Sequence, residues 1–355
     1  METDNFQLSE EQAMILETVR KFAQDKLEPT ALDNDEHAVF VRASFDELAE
    51  LGMLGIPLSE DSGGADMGWL SLVVAIEELG RVCGSTARLL LSQTALCGLA
   101  LEGSDVAEEV AGGEKLAAFV GPEVGISATV AGDGFVLNGC VELVTAALEA
   151  DIFVVAARTS EAETVVCCLP AQTVVCEPSY PLGFRATAAG RVRLQDVAVS
   201  PEAIVVRGQD AEAVLQRVHQ AACVAAGAMA VGMAEASIAA VSGHCSERIA
   251  FGKPLDRQQA VALKVSDCVQ ATTAARHLVY HAARLLDSGR DAGSAAAMAK
   301  LAGVQAAVQA GDEGIQALGG YGFVVEYHVE RHYRDAMTLA NLEGGMESLR
   351  MSVVN

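Results

Sequence analysis

The sequence predicts a mostly helical α+β fold in three parts: an N-terminal helical domain, a small middle domain like a β-barrel and a C-terminal four-helix bundle. Residues 1–115 and 206–355 carry apolar residues at helical spacing, whereas residues 116–205 carry short β-branched runs separated by Gly, Asp and Pro. The chain has 355 residues, of which 51% are apolar, so it is long enough for two or three domains.

The first third shows signals of helix starts. Ser9 and Gln12 have the spacing of a capping box, and apolar residues follow at helical spacing over 15–23. Ser44 and Glu47 have the same spacing, so they predict a second capping box. These signals favour an all-helical N-terminal domain.

The middle and last thirds of the chain differ in the spacing of their apolar residues. We expect strands at 135–139, 152–156, 164–168, 173–176, 192–194 and 197–199, and helices near 211–248, 258–288 and 295–318. The three helices have the lengths of bundle helices. The longest uncharged run, 218–234, is interrupted by His219 and Gln220 and is rich in Ala and Gly, which favours a buried helix over a membrane span.

Charge and cysteine usage exclude several classes of function. The formal net charge is −24, with 24 Lys and Arg, and the pI is near 4.6, which argues against nucleic acid and anionic membranes as partners. Arg248, Lys253 and Arg257 form the best local basic group. The nine cysteines include no C-x-x-C pair and no histidines at metal spacing, so we expect reduced thiols, no metal site and a cytoplasmic protein.

Two C-terminal motifs carry the strongest functional signal. They are the run SERIAFGKPL at 246–255 and the run GIQALGGYGF at 314–323, and Glu343-Gly344-Gly345 follows the second. Together with the helix–β–helix order, these motifs resemble the acyl-CoA dehydrogenase family. The resemblance covers nearly the whole chain.

Members of this family use FAD to desaturate acyl-CoA thioesters, so the resemblance implies an oxidoreductase of lipid metabolism, in fatty acid or steroid degradation. A base removes the α-proton while the β-hydrogen leaves as hydride to flavin N5. Counting from Gln316, Glu343 occupies the place of the family's base, and the alternative base position on an earlier helix is Ala222 here. Gly345 stands where the family normally has a Thr beside the flavin.

The resemblance also implies a set of FAD contacts, which in this family complete the cofactor of the neighbouring subunit. The matching positions are Arg248, Phe251, Gln316, Gly319 and Gly320. An arginine suits a pyrophosphate through its fixed fork of donors, and glycines let the backbone approach a nucleotide. Alternatively, Arg248 forms a surface ion pair with Glu247 or Asp256, and the glycines only end a helix.

The β domain departs from the family pattern. Residues 121–126, with Pro122 in place of a Thr, replace the usual flavin strand, and Leu143 replaces an aromatic ring that stacks on the flavin, although Thr145 remains. Two interpretations stay open. Either a divergent homo-oligomer holds FAD by altered contacts, or this chain is the flavin-poor subunit of a hetero-oligomer and donates half of the FAD site, as in some acyl-CoA dehydrogenases of actinobacterial steroid degradation.

The segment 182–187 resembles the family's turn near the acyl-CoA entrance, where Arg185 would contact an anionic part of CoA; a structural role is the alternative. The resemblance further implies an electron-transfer acceptor protein as partner. A related flavoprotein acting on a carrier thioester is a competing interpretation, because fold alone does not fix the substrate.

Overall fold

The computed structural model describes residues 8–121 and 125–354, and the predicted α+β fold, helices before and after a β domain, is confirmed. The N-terminal helices pack against the C-terminal ones in one hydrophobic core, and the sheet encloses a second core. The N-terminal helices are α1 (Glu10–Phe22), α2 (Ala31–Glu36), α3 (Arg42–Glu50), α4 (Trp69–Val82), α5 (Gly84–Leu91), α6 (Leu99–Leu101) and α7 (Ala107–Ala111).

The capping box predicted at the first helix is confirmed. The Gln12 N–H donates to Ser9 Oγ at 3.2 Å, and the Ser9 N–H donates to Gln12 Oε1 at 3.0 Å. Two of the N–H groups that a helix start leaves without partners are satisfied in this way.

The second predicted capping box was wrong. Helix α3 begins at Arg42, so Ser44 is buried inside the helix rather than at its N-cap. Val41 occupies the N-cap position, and its N–H donates to the carbonyl oxygen of Ala186 at 3.2 Å. A tertiary contact therefore sets this helix start, not the local signal at Ser44 and Glu47.

The β domain contains β1 (Ala117–Val120), β2 (Ser127–Ala131), β3 (Gly134–Val144), β4 (Ile152–Thr159), β5 (Thr164–Pro170), β6 (Val175–Pro178), β7 (Gly190–Val199) and β8 (Ile204–Arg207). They form one eight-stranded mixed sheet in the order β6-β7-β3-β2-β4-β5-β8, and β1 pairs in parallel with β4. The predicted runs 192–194 and 197–199 belong to a single strand, because a bulge with Asp196 at a φ of 48° lets pairing with β3 continue.

The C-terminal elements are α8 (Gln209–Glu247), the hairpin β9 (Ile249–Ala250) and β10 (Lys253–Pro254), α9 (Gln259–Asp287), α10 (Gly293–Leu318), α11 (Val329–Leu339) and α12 (Gly345–Val354). Their helices form the predicted bundle, in which α10 packs against the other four. Small residues allow close approach: a Cβ at Gly232 would collide with the carbonyl oxygen of Glu77, and one at Gly303 would collide with the backbone of Gly227.

Helix α8 is the one described helix that is long and apolar enough to cross a membrane by length and composition, but 72% of its apolar window is buried inside the protein. Residues 218–234 lie within it, and nearly all are buried. The segment is thus a core helix of the bundle.

Candidate active site

A cavity of about 650 Å³ lies where the sheet meets α5, α8 and α11. Its size is that of an ordinary small-molecule site, and most of its lining is apolar. Among the described residues, two carboxylates line it, Glu142 and Glu343. Glu142 is exposed and pairs with Arg191 at 2.6 Å, so Glu343 is the carboxylate buried inside the cavity.

The Glu343 carboxylate is fixed through one oxygen only. Arg88 Nη1 donates to Glu343 Oε1 at 2.5 Å, and Arg88 Nε donates to Thr145 Oγ1 at 3.0 Å. The side chains of Arg88 and Glu343 are only 6% and 5% exposed. Glu343 Oε2 is buried and has no hydrogen-bond partner among the described residues. One oxygen therefore orients the group, and the other can accept a proton.

A second buried cation holds the backbone at this carboxylate. Lys300 of α10 is fully buried, and its ammonium donates to the carbonyl oxygens of Leu342 and, at 3.2 Å, of Glu343. The same Nζ lies 3.9 Å from Glu343 Oε2. Side chain and backbone of Glu343 are thus held by different helices.

The loop at the mouth of the cavity is tied to α11. Residues 181–182 line the cavity, the Gly183 N–H donates to Thr338 Oγ1 at 2.9 Å, and the Phe184 N–H donates to Asp335 Oδ1 at 2.6 Å. Complete burial raises the pKa of the Asp335 carboxyl to about 7. The position of the mouth therefore depends on α11, the helix that leads into the buried carboxylate.

A second site, an open groove of about 420 Å³, lies at the C-terminal end of α10. Gly319 has a φ of 61°, and there is open space where a Cβ of Gly319 or Gly320 would lie. The rings of His244 and Tyr321 meet edge-on beside it, with centroids 5.8 Å apart. Arg248 also lines the groove. The groove therefore presents a guanidinium group and backbone without side chains to a ligand.

Arg248 is exposed, and among the described residues no carboxylate lies within ion-pair distance of it. The surface pair considered above is not observed there, since Asp256 lies 3.8 Å from Arg257 instead. The donors of Arg248 are left for a ligand outside this chain.

The predicted site residues fall into two groups. Glu343, Ala222 and Leu143 line the inner cavity, whereas Arg248 lines the outer groove together with Gly319 and Gly320. Among the described residues, none lines both. The structure therefore does not bring the predicted base and the predicted cofactor contacts into one pocket.

Five further predicted positions lie outside both linings. Gln316 is exposed on α10, and Phe251 is 99% exposed at the turn of the β9–β10 hairpin. Thr145 binds Arg88, Gly345 begins α12, and Arg185 is exposed on the loop that follows the cavity mouth. Pro122 lies outside the described residues.

The sequence motifs did not point to Arg88 or Lys300. Each does carry a local signal, because it is a single cation inside an otherwise apolar or alanine-rich helical run, GSTARLLL for Arg88 and GSAAAMAKLAGV for Lys300. A charge in such a run is costly to bury unless it is paired.

Comparison with known proteins identifies the family. Residues 9–109 match the N-terminal domain and residues 213–355 the C-terminal domain of acyl-CoA dehydrogenases. The chain is 30% identical to the short-chain-specific acyl-CoA dehydrogenase of Clostridium acetobutylicum over 98% of both chains. The chain belongs to the acyl-CoA dehydrogenase family. It is thus related to flavin-dependent oxidoreductases, and FAD is the cofactor of the family.

Two solved acyl-CoA dehydrogenases share the whole architecture. The butyryl-CoA dehydrogenase of Megasphaera elsdenii is 28% identical, with a TM-score of 0.92 over 99% of this chain and 98% of that one. A glutaryl-CoA dehydrogenase in complex with glutaryl-CoA is also 28% identical, with a TM-score of 0.92 over 99% of this chain and 95% of that one.

Proposed function

We propose that this chain catalyses FAD-dependent α,β-dehydrogenation of an acyl-CoA thioester, with Glu343 as the base that removes the α-proton. The supporting observation is that the two oxygens of its carboxylate differ in their contacts: Oε1 accepts a hydrogen bond from Arg88, and the buried Oε2 has no hydrogen-bond partner among the described residues. A base needs this combination of fixed orientation and a free acceptor oxygen. FAD, when bound, supplies the acceptor for the hydride that leaves the β-carbon.

The surroundings of Glu343 suit this role. The apolar lining of the cavity keeps water from the carboxylate and gives an acyl chain an apolar environment. Arg88 stays bound to Oε1 while Oε2 takes the proton, so the carboxyl does not turn away from the substrate. Arg185, exposed on the loop after the mouth, is our candidate for a contact with an anionic part of CoA.

The outer groove fits the nucleotide half of FAD. Arg248 offers a charge-assisted fork of donors to a diphosphate, and Gly319 and Gly320 leave the backbone open. Phe251 in the turn of the β9–β10 hairpin and Phe323 after the glycine run are 99% and 83% exposed, and a second subunit would cover such rings. We therefore infer a flavin that spans two subunits of a cytoplasmic oligomer and passes electrons to an acceptor protein.

The proposal is tested by mixing the FAD-loaded oligomer with saturated acyl-CoA esters of increasing length without oxygen. We expect the visible flavin absorbance to bleach and the matching enoyl-CoA to appear by mass spectrometry. An oligomer that holds FAD and bleaches with none of these esters would contradict the proposed activity. Light scattering should give at least a dimer.

A second candidate function is that of a flavin-poor subunit that completes the FAD site of an unlike acyl-CoA dehydrogenase chain. The observation in its favour is that Leu143 lines the cavity in place of a stacking ring, while the Thr145 hydroxyl is already bound to Arg88. Arg248 in the groove is free for a partner's cofactor. The flavin content of the chain made alone, compared with its content beside an unlike dehydrogenase chain, separates the two functions.

A further inference from the structure

The turn that carries Glu343 has a strained backbone. Glu343, Gly344 and Gly345 have φ values of 44°, 88° and 67°, three successive residues in the left-handed region. Glycine adopts this conformation without cost, but for a glutamate it costs on the order of 1 kcal/mol. The turn must therefore be held by contacts elsewhere.

The turn supplies few such contacts from its own backbone. The Gly345 N–H donates to the carbonyl oxygen of Leu342, and the Met346 N–H donates to that of Ala340, both at 3.1 Å. Lys300 Nζ adds a second donor to the Leu342 carbonyl oxygen and also donates to the carbonyl oxygen of Glu343 at 3.2 Å.

We propose that Lys300 is a positioning residue for the base: its buried ammonium fixes the turn so that the free carboxylate oxygen of Glu343 stays in the cavity. The inference rests on the proposed function, in which Glu343 takes the α-proton. Lys300 does not line the cavity, so it acts through the turn and not on the substrate.

Folding stability alone would not favour a lysine at this position. The ammonium is fully buried, and the Glu343 carboxylate oxygen Oε2 is 3.9 Å from it, beyond hydrogen-bond distance, so its close partners are uncharged carbonyl oxygens. Burying a charge with such incomplete pairing costs several kcal/mol, which an apolar residue of the same size would avoid. The cost is understandable if the turn must be held in one conformation for catalysis.

Arg88 and Lys300 hold different parts of Glu343. Arg88 on α5 holds the side chain of Glu343 through Oε1, and Lys300 on α10 holds its backbone through the carbonyl oxygens. Removing Lys300 leaves the ion pair intact but frees the turn to relax toward φ values that a glutamate prefers. A displacement of about 1 Å at a reacting group is enough to lower a rate by roughly 100-fold.

The experiment compares Lys300→Met, Lys300→Gln and the matched control Arg276→Met. Arg276 is also a buried cation of the bundle, but it pairs with the carboxylates of Glu77 on α4 at 2.7 Å and Glu235 on α8 at 2.6 Å. The readouts are amide hydrogen exchange over 340–346, kcat and KM of the FAD-loaded oligomer, and unfolding by urea.

Lys300→Met should speed exchange over 340–346 by about 10-fold or more and lower kcat by roughly 10- to 100-fold, with KM nearly unchanged. Lys300→Gln keeps amide donors for the carbonyl groups and should recover part of kcat; it also decides the question if Lys300→Met does not fold. Arg276→Met should lower stability and leave kcat and the exchange of 340–346 as in the wild type.

A wild-type kcat in Lys300→Met, with or without faster exchange, overturns the positioning role. So does an equal loss of kcat in Arg276→Met. Glu343→Gln, measured beside them, distinguishes the failure of one proposal from that of the other. If Glu343→Gln keeps full activity, Glu343 is not the base. If Glu343→Gln is inactive but Lys300→Met is fully active, only the inference about Lys300 is wrong.

Discussion

The inner cavity and the outer groove differ in how far this chain satisfies its own polar groups. In the cavity, Glu343, Arg88 and Thr145 are bound to one another and are largely buried. In the groove, Arg248 is exposed with no carboxylate partner in the described part of the chain, and the glycines face open space. The cavity is complete within one chain, whereas the groove requires a ligand or chain from outside.

This difference indicates how the two regions respond to mutation. Changes in the cavity break internal pairs, so they should affect chemistry and folding together. In the groove, a change of Arg248 removes an exposed group with no carboxylate partner in the described part of the chain, so it should affect cofactor binding and leave folding alone.

The largest effect is expected for Glu343→Gln. The amide keeps the shape of the carboxylate but cannot accept the α-proton, so kcat should fall by about 10²- to 10⁴-fold. The variant should still fold and keep any bound flavin, but with lower stability, because Arg88 loses its charged partner. Steady-state rates and the flavin spectrum check this. Glu347→Gln, an exposed carboxylate paired with Arg350 one turn along, should behave as wild type.

Arg88→Met should come next, and it should act on stability. Removing one member of a buried pair leaves the other charge uncompensated, which costs about 3–5 kcal/mol. The loss is measured by urea unfolding. The double variant Arg88→Met with Glu343→Gln should recover most of it, and a double variant as unstable as Arg88→Met would mean that the pair is not the cause.

Arg248→Ala should weaken FAD binding by about 10- to 100-fold, since it loses charge-assisted hydrogen bonds to a diphosphate. Its unfolding curve should match the wild type. Leu143→Ala should hardly change FAD affinity. Arg257→Ala is the matched control, because Arg257 is a neighbouring exposed arginine that already lies near Asp256. Equal losses of FAD affinity in both variants would mean that the groove acts only through its overall charge and not through a contact of Arg248 with FAD.

The smallest effect concerns Asp335, which anchors the mouth of the cavity. Its pKa is raised from 3.8 to about 7 in the folded protein, so the folded state binds this proton more tightly than the unfolded chain does. The stabilisation of the folded protein by the proton on Asp335 is complete below about pH 4, and it is lost as the pH rises through the folded pKa of about 7.

Asp335→Asn removes this titration but keeps an oxygen that accepts the Phe184 N–H. Between about pH 6 and pH 8 the variant should therefore gain roughly 1–2 kcal/mol of stability relative to the wild type. Urea unfolding at both pH values checks this. A difference that does not change with pH would contradict the raised pKa of Asp335.

The sequence predicted the parts of this picture that are local in the chain. Regular spacing indicated the long helices and five of the eight strands of the sheet, but it missed β1, β2 and β8. Glycine-containing runs indicated the groove residues Arg248, Gly319 and Gly320. Glu343 was found by its distance from Gln316, and its role stays a proposal.

Contacts between distant residues could not be predicted in this way. Arg88 and Glu343 are 255 positions apart, so no periodicity relates them, and only packing of α5 beside the end of α11 brings them together. The prediction of where α3 begins was wrong for the same reason, because a hydrogen bond from Val41 to Ala186 overrides the local signal at Ser44.

The central claim, that the cavity of one chain works with the groove of another, is tested most directly by co-expressing Glu343→Gln and Arg248→Ala chains with different tags. Oligomers carrying both tags are purified, dialysed free of excess FAD and assayed. In a dimer of the two, one site has an intact cavity and an intact groove, so roughly half of the wild-type activity should return. Mixed oligomers as inactive as either parent, beside an active wild type, would contradict the claim.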